Sequence, residues 1–461
     1  MSCCGSRPTA AAIETPKEST AAAVLPVAII GAGPIGLAAA AELAARSLPF
    51  QILEAGPGPG ASVRAWSHVQ FFSPWSYAVS RPAAALLQQS GWRAPDPQSY
   101  PTGKELMERY LEPLAAHPAI APHLRTNRRV TAIARTGTGK VRDGGREARP
   151  FEIRSVDAVG REARLLARAV IDASGTWTRP NPAGASGLPA LGEAAAAERL
   201  RYGIPDVLGA ERSRYQNRRV AVLGGGHSAA GTLIDLAKLA EAAPRTEIVW
   251  LLRRRDFSTV FGSENDQLAE RGALGQRLKA LSESGRLEIV APFALESIER
   301  GADGRLQLGS ESRENIVADE LIVATGFRPD LSFLGELRLD LDPALECPRA
   351  LGPLIDPNLH SCGTVRPHGA RELQQPESGF YLAGMKAYGR APTFLLLTGY
   401  EQVRSIAAAL AGDQAAADRV ELVLPETGVC SGAPESTAAA CCGPARGGNQ
   451  VTPARVAEAV A

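Results

Sequence analysis

Two stretches of the chain repeat one pattern: a short apolar run, a cluster of glycines, then a long segment rich in Ala and Leu. The first is Val27-Ala28-Ile29-Ile30 followed by Gly31-Ala32-Gly33-Pro34-Ile35-Gly36. The second is Val220-Ala221-Val222-Leu223 followed by Gly224-Gly225-Gly226-His227-Ser228-Ala229. An apolar run bounded by glycine predicts a strand buried on both faces, and the segments behind it predict helices over 35–46 and 228–240. Each unit reaches a further apolar run. One covers residues 50–53 and ends at Glu54; the other covers 247–252 and ends in Arg253-Arg254-Arg255. Strand, glycine turn, helix and strand together make the βαβ unit of a parallel sheet.

The rest of the pattern completes two such sheets. A helix is predicted over 103–117 and a strand over 129–134. Residues 140–170 alternate apolar and polar positions, broken by Asp143-Gly144-Gly145, which predicts antiparallel hairpins. Apolar runs at 169–172 and 320–324 end in small residues, Ala173-Ser174-Gly175 and Thr325-Gly326. Small residues at strand ends suit places where backbone passes close to a ligand or crosses between domains. A strand over 379–384 ends at Gly384-Met385, and Pro392 is expected to open a helix reaching residue 410.

The glycines carry the chemistry. Gly31 permits the tight turn, Gly33 lets backbone approach a pyrophosphate, and Gly36 lets helix pack on strand. Ala32, Pro34 and Ile35 complete a loop whose amides and helix dipole face the phosphates. A carboxylate at Glu54 accepts hydrogen bonds from a ribose diol and repels a 2′-phosphate, which fits the adenosine half of FAD. Ala55, Val130, Ala173, Ser174, Gly175, Gly384 and Met385 are assigned to the same cofactor. The start of the last helix is expected to stabilise negative charge on the reduced flavin ring, the alternative being an ordinary amphipathic helix. In the second loop Gly224, Gly225, Gly226, His227 and Ser228 are the phosphate contacts, and Ala229 takes the third small position. The guanidinium groups of Arg253 and Arg254 replace the acid and suit a 2′-phosphate, hence NADPH. Ala324, Thr325 and Gly326 join this second site.

The expected fold is therefore α/β: two dinucleotide-binding, Rossmann-like domains, with the NADPH domain inserted into a three-layer ββα FAD domain. Residues 24–210 and 326–412 form the FAD-binding domain and 211–325 the NADPH-binding domain. Residues 1–23 are expected to be a disordered N-terminal tail and 413–461 a flexible, cysteine-containing one.

Composition adds exclusions. Over 461 residues, 50 Lys and Arg balance 49 Asp and Glu, leaving a formal charge of +1, so nothing points to nucleic acid or to a charged membrane surface. No apolar run reaches the about 18 residues of a membrane helix. Glu14, Lys17 and Glu18 precede the first strand, and a cytoplasmic protein is expected. Seven cysteines are read as thiols. Cys430, Cys441 and Cys442 in the tail, with Cys362 in the body, are candidate soft ligands for a thiophilic metalloid. The alternative is incidental thiols.

The order of FAD loop, aromatic segment, Asp-Ala-Ser-Gly, NADPH loop, Ala-Thr-Gly-Phe and C-terminal helix resembles the flavin-containing monooxygenase group over residues 24–412. Three stretches resemble, more narrowly, the flavoprotein monooxygenases of arsenic-resistance operons. They are Trp66-Ser67-His68-Val69-Gln70-Phe71-Phe72-Ser73-Pro74-Trp75, Ile355-Asp356-Pro357-Asn358-Leu359-His360-Ser361-Cys362-Gly363 and Tyr388-Gly389-Arg390-Ala391-Pro392-Thr393-Phe394. Trp66, Ser73, Trp75 and Arg390 are the flavin-site candidates. The Phe-x-Gly-x-x-x-His hallmark of the best-known branches is missing. Tyr202-Gly203-Ile204-Pro205 stands in its place, so amine, sulfide and ketone substrates are not carried over.

The resemblance implies hydride transfer from NADPH to flavin, and then O₂ activation as a C4a-hydroperoxide. A soft nucleophile such as trivalent arsenic or antimony would attack that peroxide. The partners implied are a small-molecule substrate and O₂, with a homodimer allowed. Two rivals remain at this point. An NADPH-dependent thiol or metal-ion reductase needs a dithiol beside the flavin, and residues 31–60 hold no cysteine. A non-catalytic flavin-bound metalloid chaperone or sensor has little need of a hydride donor.

Overall fold

The computed structural model describes residues 24–262, 268–311, 313–359 and 365–422. Val27–Ile30 is buried along its whole length, the state of a strand covered on both faces. It pairs in parallel with Phe50–Leu53 on one side and Ala169–Asp172 on the other. Phe380–Leu382 and Leu124–Arg125 extend this first sheet at its two edges, making five strands. Helix Pro34–Ala45 packs beside helix Leu396–Leu410. Its run of alanines at 38–41 is fully buried, and such short side chains let the helices and sheet approach closely. An antiparallel meander of Arg129–Arg135, Phe151–Val156 and Glu162–Ala167 supplies the third layer. Its Ile133, Phe151 and Ile153 enter the same core.

The second unit repeats the plan. Arg219–Leu223 is central, between Glu247–Leu251 and Glu320–Val323, with Glu288–Val290 and Leu200–Tyr202 at the edges. All five strands run parallel. Helices His227–Ala242 and Ala269–Glu283 pack together, and Trp250 is wholly buried. An antiparallel sheet of Ser297–Arg300, Leu306–Ser310 and Arg313–Ala318 shares a core with Ala221 and Leu251.

Two short segments carry the chain into this unit and back. Pro180 bridges Phe327, the Asn181 amide donates to the Gly326 carbonyl at 2.9 Å, and the Arg328 amide donates to the Arg179 carbonyl at 2.9 Å. The second unit thus begins well before residue 211, the boundary expected from sequence. Leu200–Tyr202 already lies in its sheet, paired with Glu320–Val323. That partner is far downstream, so no local pattern reveals the pairing.

Three other boundaries differ. The last long helix starts at Leu396 instead of Pro392: residues 391–395 are not helical, and Leu395 is extended. The residue before a proline is disfavoured from helical geometry, which keeps this approach straight. Residues 413–422 are not tail. Asp413 caps the short helix Gln414–Asp418 by accepting from the Ala416 amide at 3.0 Å, and Arg404 and Ser405 donate to the Ala416 and Ala417 carbonyls at 2.8 and 2.6 Å. The helix expected over 103–117 contains a π turn, Met107–Leu111. Pro113 has no N–H for the Arg109 carbonyl, and the Trp92 indole donates there instead at 2.7 Å.

Candidate functional site

The first glycine loop has the geometry its residues imply. Gly31 adopts φ +97°, and a Cβ there would lie 2.9 Å from the Ala173 carbonyl oxygen. A Cβ on Gly33 would meet no protein atom within 4 Å, the open side a pyrophosphate needs. A Cβ on Gly36 would fall on the Gly31 carbonyl oxygen. The buried Glu54 carboxylate accepts from the Ala32 amide at 2.7 Å through one oxygen and from the Gly56 amide at 2.7 Å through the other. Glu54 therefore holds the loop itself as well as facing the ribose side. The sequence pattern does not show this second task.

Three further segments converge on this loop. Ile35 wedges against Gly384 and Gly399, whose absent side chains make room for it. The Gly384 amide donates to Gln402 Oε1 at 2.7 Å, and Gln402 Nε2 lies 2.8 Å from His368 Nε2. The amide nitrogen of Gln402 must donate, so His368 Nε2 accepts and Nδ1 donates to the Arg366 carbonyl at 3.0 Å. Burial pushes the His368 pKa below its ordinary value and keeps the ring neutral.

Asp172, at the end of its strand, accepts from the Ser174 amide and hydroxyl at 3.1 and 2.7 Å and pairs with Lys386 Nζ at 2.8 Å. Both charges are wholly buried. Lys386 also donates to Ser174 Oγ at 2.8 Å and stands 4.4 Å from the centre of the Phe333 ring. This pair ties the Asp172-Ala173-Ser174-Gly175 turn to the Gly384-Met385 turn. Val130 sits beside a register shift in the meander strand. The buried Thr393 hydroxyl and the His68 Nε2 atom have no hydrogen-bond partner among the described residues. A buried polar atom without a protein partner calls for one from water or a ligand. Neither residue was singled out in sequence, because an unsatisfied group shows only in three dimensions.

The second loop runs the same course. Gly224 adopts φ +137° against the Ala324 carbonyl, and a Cβ on Gly226 would meet nothing within 4 Å. Ala229 is wholly buried, so here the helix leaves room for a methyl group. Strand register sets Leu251 beside Leu223 as it sets Leu53 beside Ile30. Leu252 thus holds the place of Glu54. It is buried, with its Cδ2 3.4 Å from where a Gly225 Cβ would lie. Arg253 follows, exposed, donating to the Ala185 carbonyl at 3.1 Å, and Arg254 is exposed beside it. This strand thus ends in an apolar residue and two exposed guanidinium groups, with no carboxylate. Both loops share this open-faced turn, and they differ in the residue that closes the second strand. Arg390, a flavin-site candidate from sequence, has its Nη2 4.0 Å from where a Cβ on Gly187 of the second unit would lie.

The aromatic segment spans the join. Trp66 packs on Phe71 and Trp177 with ring centres 5.5 and 6.5 Å apart, and Trp177 stacks on Phe327 at 4.7 Å. Phe72 meets His227 of the second loop at 5.1 Å. Trp75 and Ser73 are buried, and Trp75 belongs to the first core, with the Arg109 guanidinium 5.6 Å from its ring centre. Among the described residues the only cysteine is Cys347. It is buried, and burial with the nearby Asp342 charge pushes its thiol up to about 12. Cys362, Cys430, Cys441 and Cys442 lie outside the described residues. Among the described residues no three His, Cys, Asp or Glu side chains are grouped to hold a metal, and no helix is long and apolar enough to cross a membrane.

Two dinucleotide loops facing one join define a two-nucleotide oxidoreductase. The chain belongs to the pyridine nucleotide-disulphide oxidoreductase family, which matches residues 28–346. It is similar to the ferredoxin–NADP reductase of Rhodospirillum rubrum, with 25% identity over 83% of this chain and 89% of that protein. A Wolbachia ferredoxin–NADP reductase is 30% identical over 28% of this chain, and the chain spans only 35% of that relative's length.

Among solved structures, the bacillithiol disulfide reductase of Bacillus cereus superposes with TM-score 0.61 at 18% identity, covering 84% of this chain and 99% of that one. The FAD-bound cadaverine monooxygenase of Erwinia amylovora gives 0.57 at 16%, covering 87% and 98%. These likenesses establish the fold. The protein is an FAD-dependent NAD(P)H oxidoreductase that uses FAD and NADPH.

Proposed function

We propose that this oxidoreductase is a monooxygenase: NADPH reduces the flavin, and O₂ then supplies one oxygen atom to a soft small-molecule nucleophile. Trivalent arsenic or antimony is the substrate class suggested by the three sequence stretches at 66–75, 355–363 and 388–394. The reading rests on the thiol chemistry. Residues 31–60 contain no cysteine, and Cys347 is buried with a raised pKa, unsuited to act as a redox thiolate. Among the described residues no thiol is then placed to take electrons from the flavin.

Bound flavin supplies hydride acceptance and oxygen activation. The chain's own residues bind and shield. The first glycine loop and Glu54 hold the adenosine half, while Asp172, Ser174 and Lys386 fix the turns beside it. Trp66, Phe71, Trp177 and Phe327 keep water from the join, and oxygenation needs a dry site to avoid wasting reductant. Cys362, Cys430, Cys441 and Cys442 are proposed to collect the metalloid as thiolates.

The test is anaerobic reduction with NADPH or NADH, followed by admission of O₂. A transient absorbance that belongs to neither oxidised nor reduced flavin, decaying faster with arsenite, methylarsenite or antimonite, supports the reading. Reoxidation indifferent to all three sinks it. A second reading, a reductase passing electrons to a protein or disulfide acceptor, is favoured by the similarity to the Rhodospirillum ferredoxin–NADP reductase along most of both chains. Rapid electron transfer to ferredoxin with slow reaction towards O₂ would establish it. For the tail cysteines, truncation after Leu422 should weaken arsenite binding and leave flavin content unchanged; unaltered arsenite affinity removes the role of Cys430, Cys441 and Cys442.

A further inference from the structure

A cavity of about 280 Å³ opens at the carboxyl ends of the second sheet. Leu251, Leu223 with Gly224, and Thr325 line it, and each follows or ends a neighbouring strand of that sheet. Three arginines line it as well, Arg253, Arg328 and Arg390, and no carboxylate does. They come from three separate places. Arg253 ends the second strand of the inserted unit. Arg328 lies on the returning linker, and Arg390 on the turn that follows Met385–Tyr388 in the first unit.

Their protein contacts leave most of the donors free. Arg253 gives one amino group to the Ala185 carbonyl. Arg328 gives only Nε, to Asn181 Oδ1 at 3.1 Å. The Arg390 guanidinium makes no hydrogen bond or ion pair among the described residues, and its Nη2 comes within 4.0 Å of the position of a Gly187 Cβ. Like charges around one cavity repel unless an anion lies among them, and guanidinium forks match phosphate oxygens in pairs.

We propose that Arg328 and Arg390 complete the NADPH site from outside the inserted unit. Strand order says which phosphate each arginine meets. In this fold the adenosine half lies over the second strand and the diphosphate over the glycine loop. Arg253, at the second strand, takes the 2′-phosphate. Arg328 follows Glu320–Val323 on the opposite side of Gly224, and with Arg390 it takes the diphosphate. Since Arg390 belongs to the first unit, binding of the nicotinamide nucleotide joins the two units through a phosphate. This goes beyond the oxygenation reading and holds equally for a reductase, so the failure of either leaves the other standing.

The test is calorimetric titration of the oxidised, FAD-loaded full-length protein with NADP⁺, NAD⁺ and 2′,5′-ADP. Arg390→Ala and Arg328→Ala should each weaken NADP⁺ and NAD⁺ by about tenfold, because both carry the diphosphate, and weaken 2′,5′-ADP less, because it keeps only the adenosine-side phosphate of that pair. Arg253→Ala should weaken NADP⁺ and 2′,5′-ADP and spare NAD⁺. The salt dependence of NADP⁺ binding should flatten in the Arg390 variant. Flavin content and melting temperature are measured beside each titration. If Arg390→Ala does not retain FAD, Arg390→Lys, which keeps the charge and loses the fork, is titrated and should weaken NADP⁺ about threefold. NADP⁺ affinity within twofold of the unsubstituted protein in the Arg328 and Arg390 variants overturns the proposal, as does a loss confined to 2′,5′-ADP.

Discussion

The two glycine loops follow one backbone course and part company at two side chains. In both, the first glycine backs onto a neighbouring strand end, Ala173 or Ala324, and in both a later glycine, Gly33 or Gly226, faces open space. At the third small position the FAD-side helix closes so tightly that only glycine fits at 36, whereas the NADPH-side helix accepts Ala229. At the strand end the FAD side has Glu54, its carboxylate bonded to two amides of its own loop and turn, and the NADPH side has Leu252, whose apolar side chain offers the loop no hydrogen bond. The comparison separates what the fold demands from what the ligand selects. Turn and open face are common property; the acid and the tight helix belong to the FAD side alone.

The most severe test of that separation is Gly36→Ala. Its methyl group would displace the Gly31 carbonyl, so the purified protein should carry less than about a tenth of its normal flavin. Ala229→Gly, the mirror change, should cost only about 0.5–1 kcal/mol in a thermal melt and leave NADP⁺ bound. Equal flavin retention in both variants would break the comparison.

Glu54→Ala comes next. It strips the partner from two amides and should weaken FAD by about 1.5–3 kcal/mol, measured by fluorescence as flavin is released, with NADP⁺ affinity unaltered. A third test uses acid. Burial holds the folded His368 pKa below the unfolded value, so neutral His368 stabilises the protein above about pH 6.5. That contribution drains away as pH falls from there towards the folded pKa, at up to about 1.4 kcal/mol per pH unit. Flavin release should therefore begin in this window and be flatter in His368→Gln; a profile unchanged by that substitution removes the relay to Gly384. The smallest effect is expected at Arg254. Arg254→Ala should lower the preference for NADPH over NADH about threefold at low ionic strength and not at all in about 0.5 M salt, read from the two KM values.

Much of the frame was legible because buried parallel strands announce themselves. Phe50–Leu53 and Ala169–Asp172 are short, largely apolar segments closed by polar or small residues, and their observed limits are the expected ones. Leu200–Tyr202 is different: three residues long and only part buried, it is a strand by virtue of a partner far along the chain. The Pro392 signal misled because proline suits an extended approach as well as a first helical turn. The glycine roles could be read one residue at a time, since each depends on a missing Cβ. The Asp172–Lys386 pair and the turning of Arg390 towards the second unit could not, as each depends on how separate segments dock.

The crossing at Arg179–Asn181 and Gly326–Arg328 has one more consequence. Chain departure and return are stitched side by side by two backbone hydrogen bonds. Everything between them is, in effect, a cassette with adjacent ends. Closing Asn181 directly onto Gly326 would spare every strand of the first sheet, and a foreign βαβ module with matching ends could be spliced there without re-routing the host. The same narrow ribbon is the axle about which the cassette would have to turn.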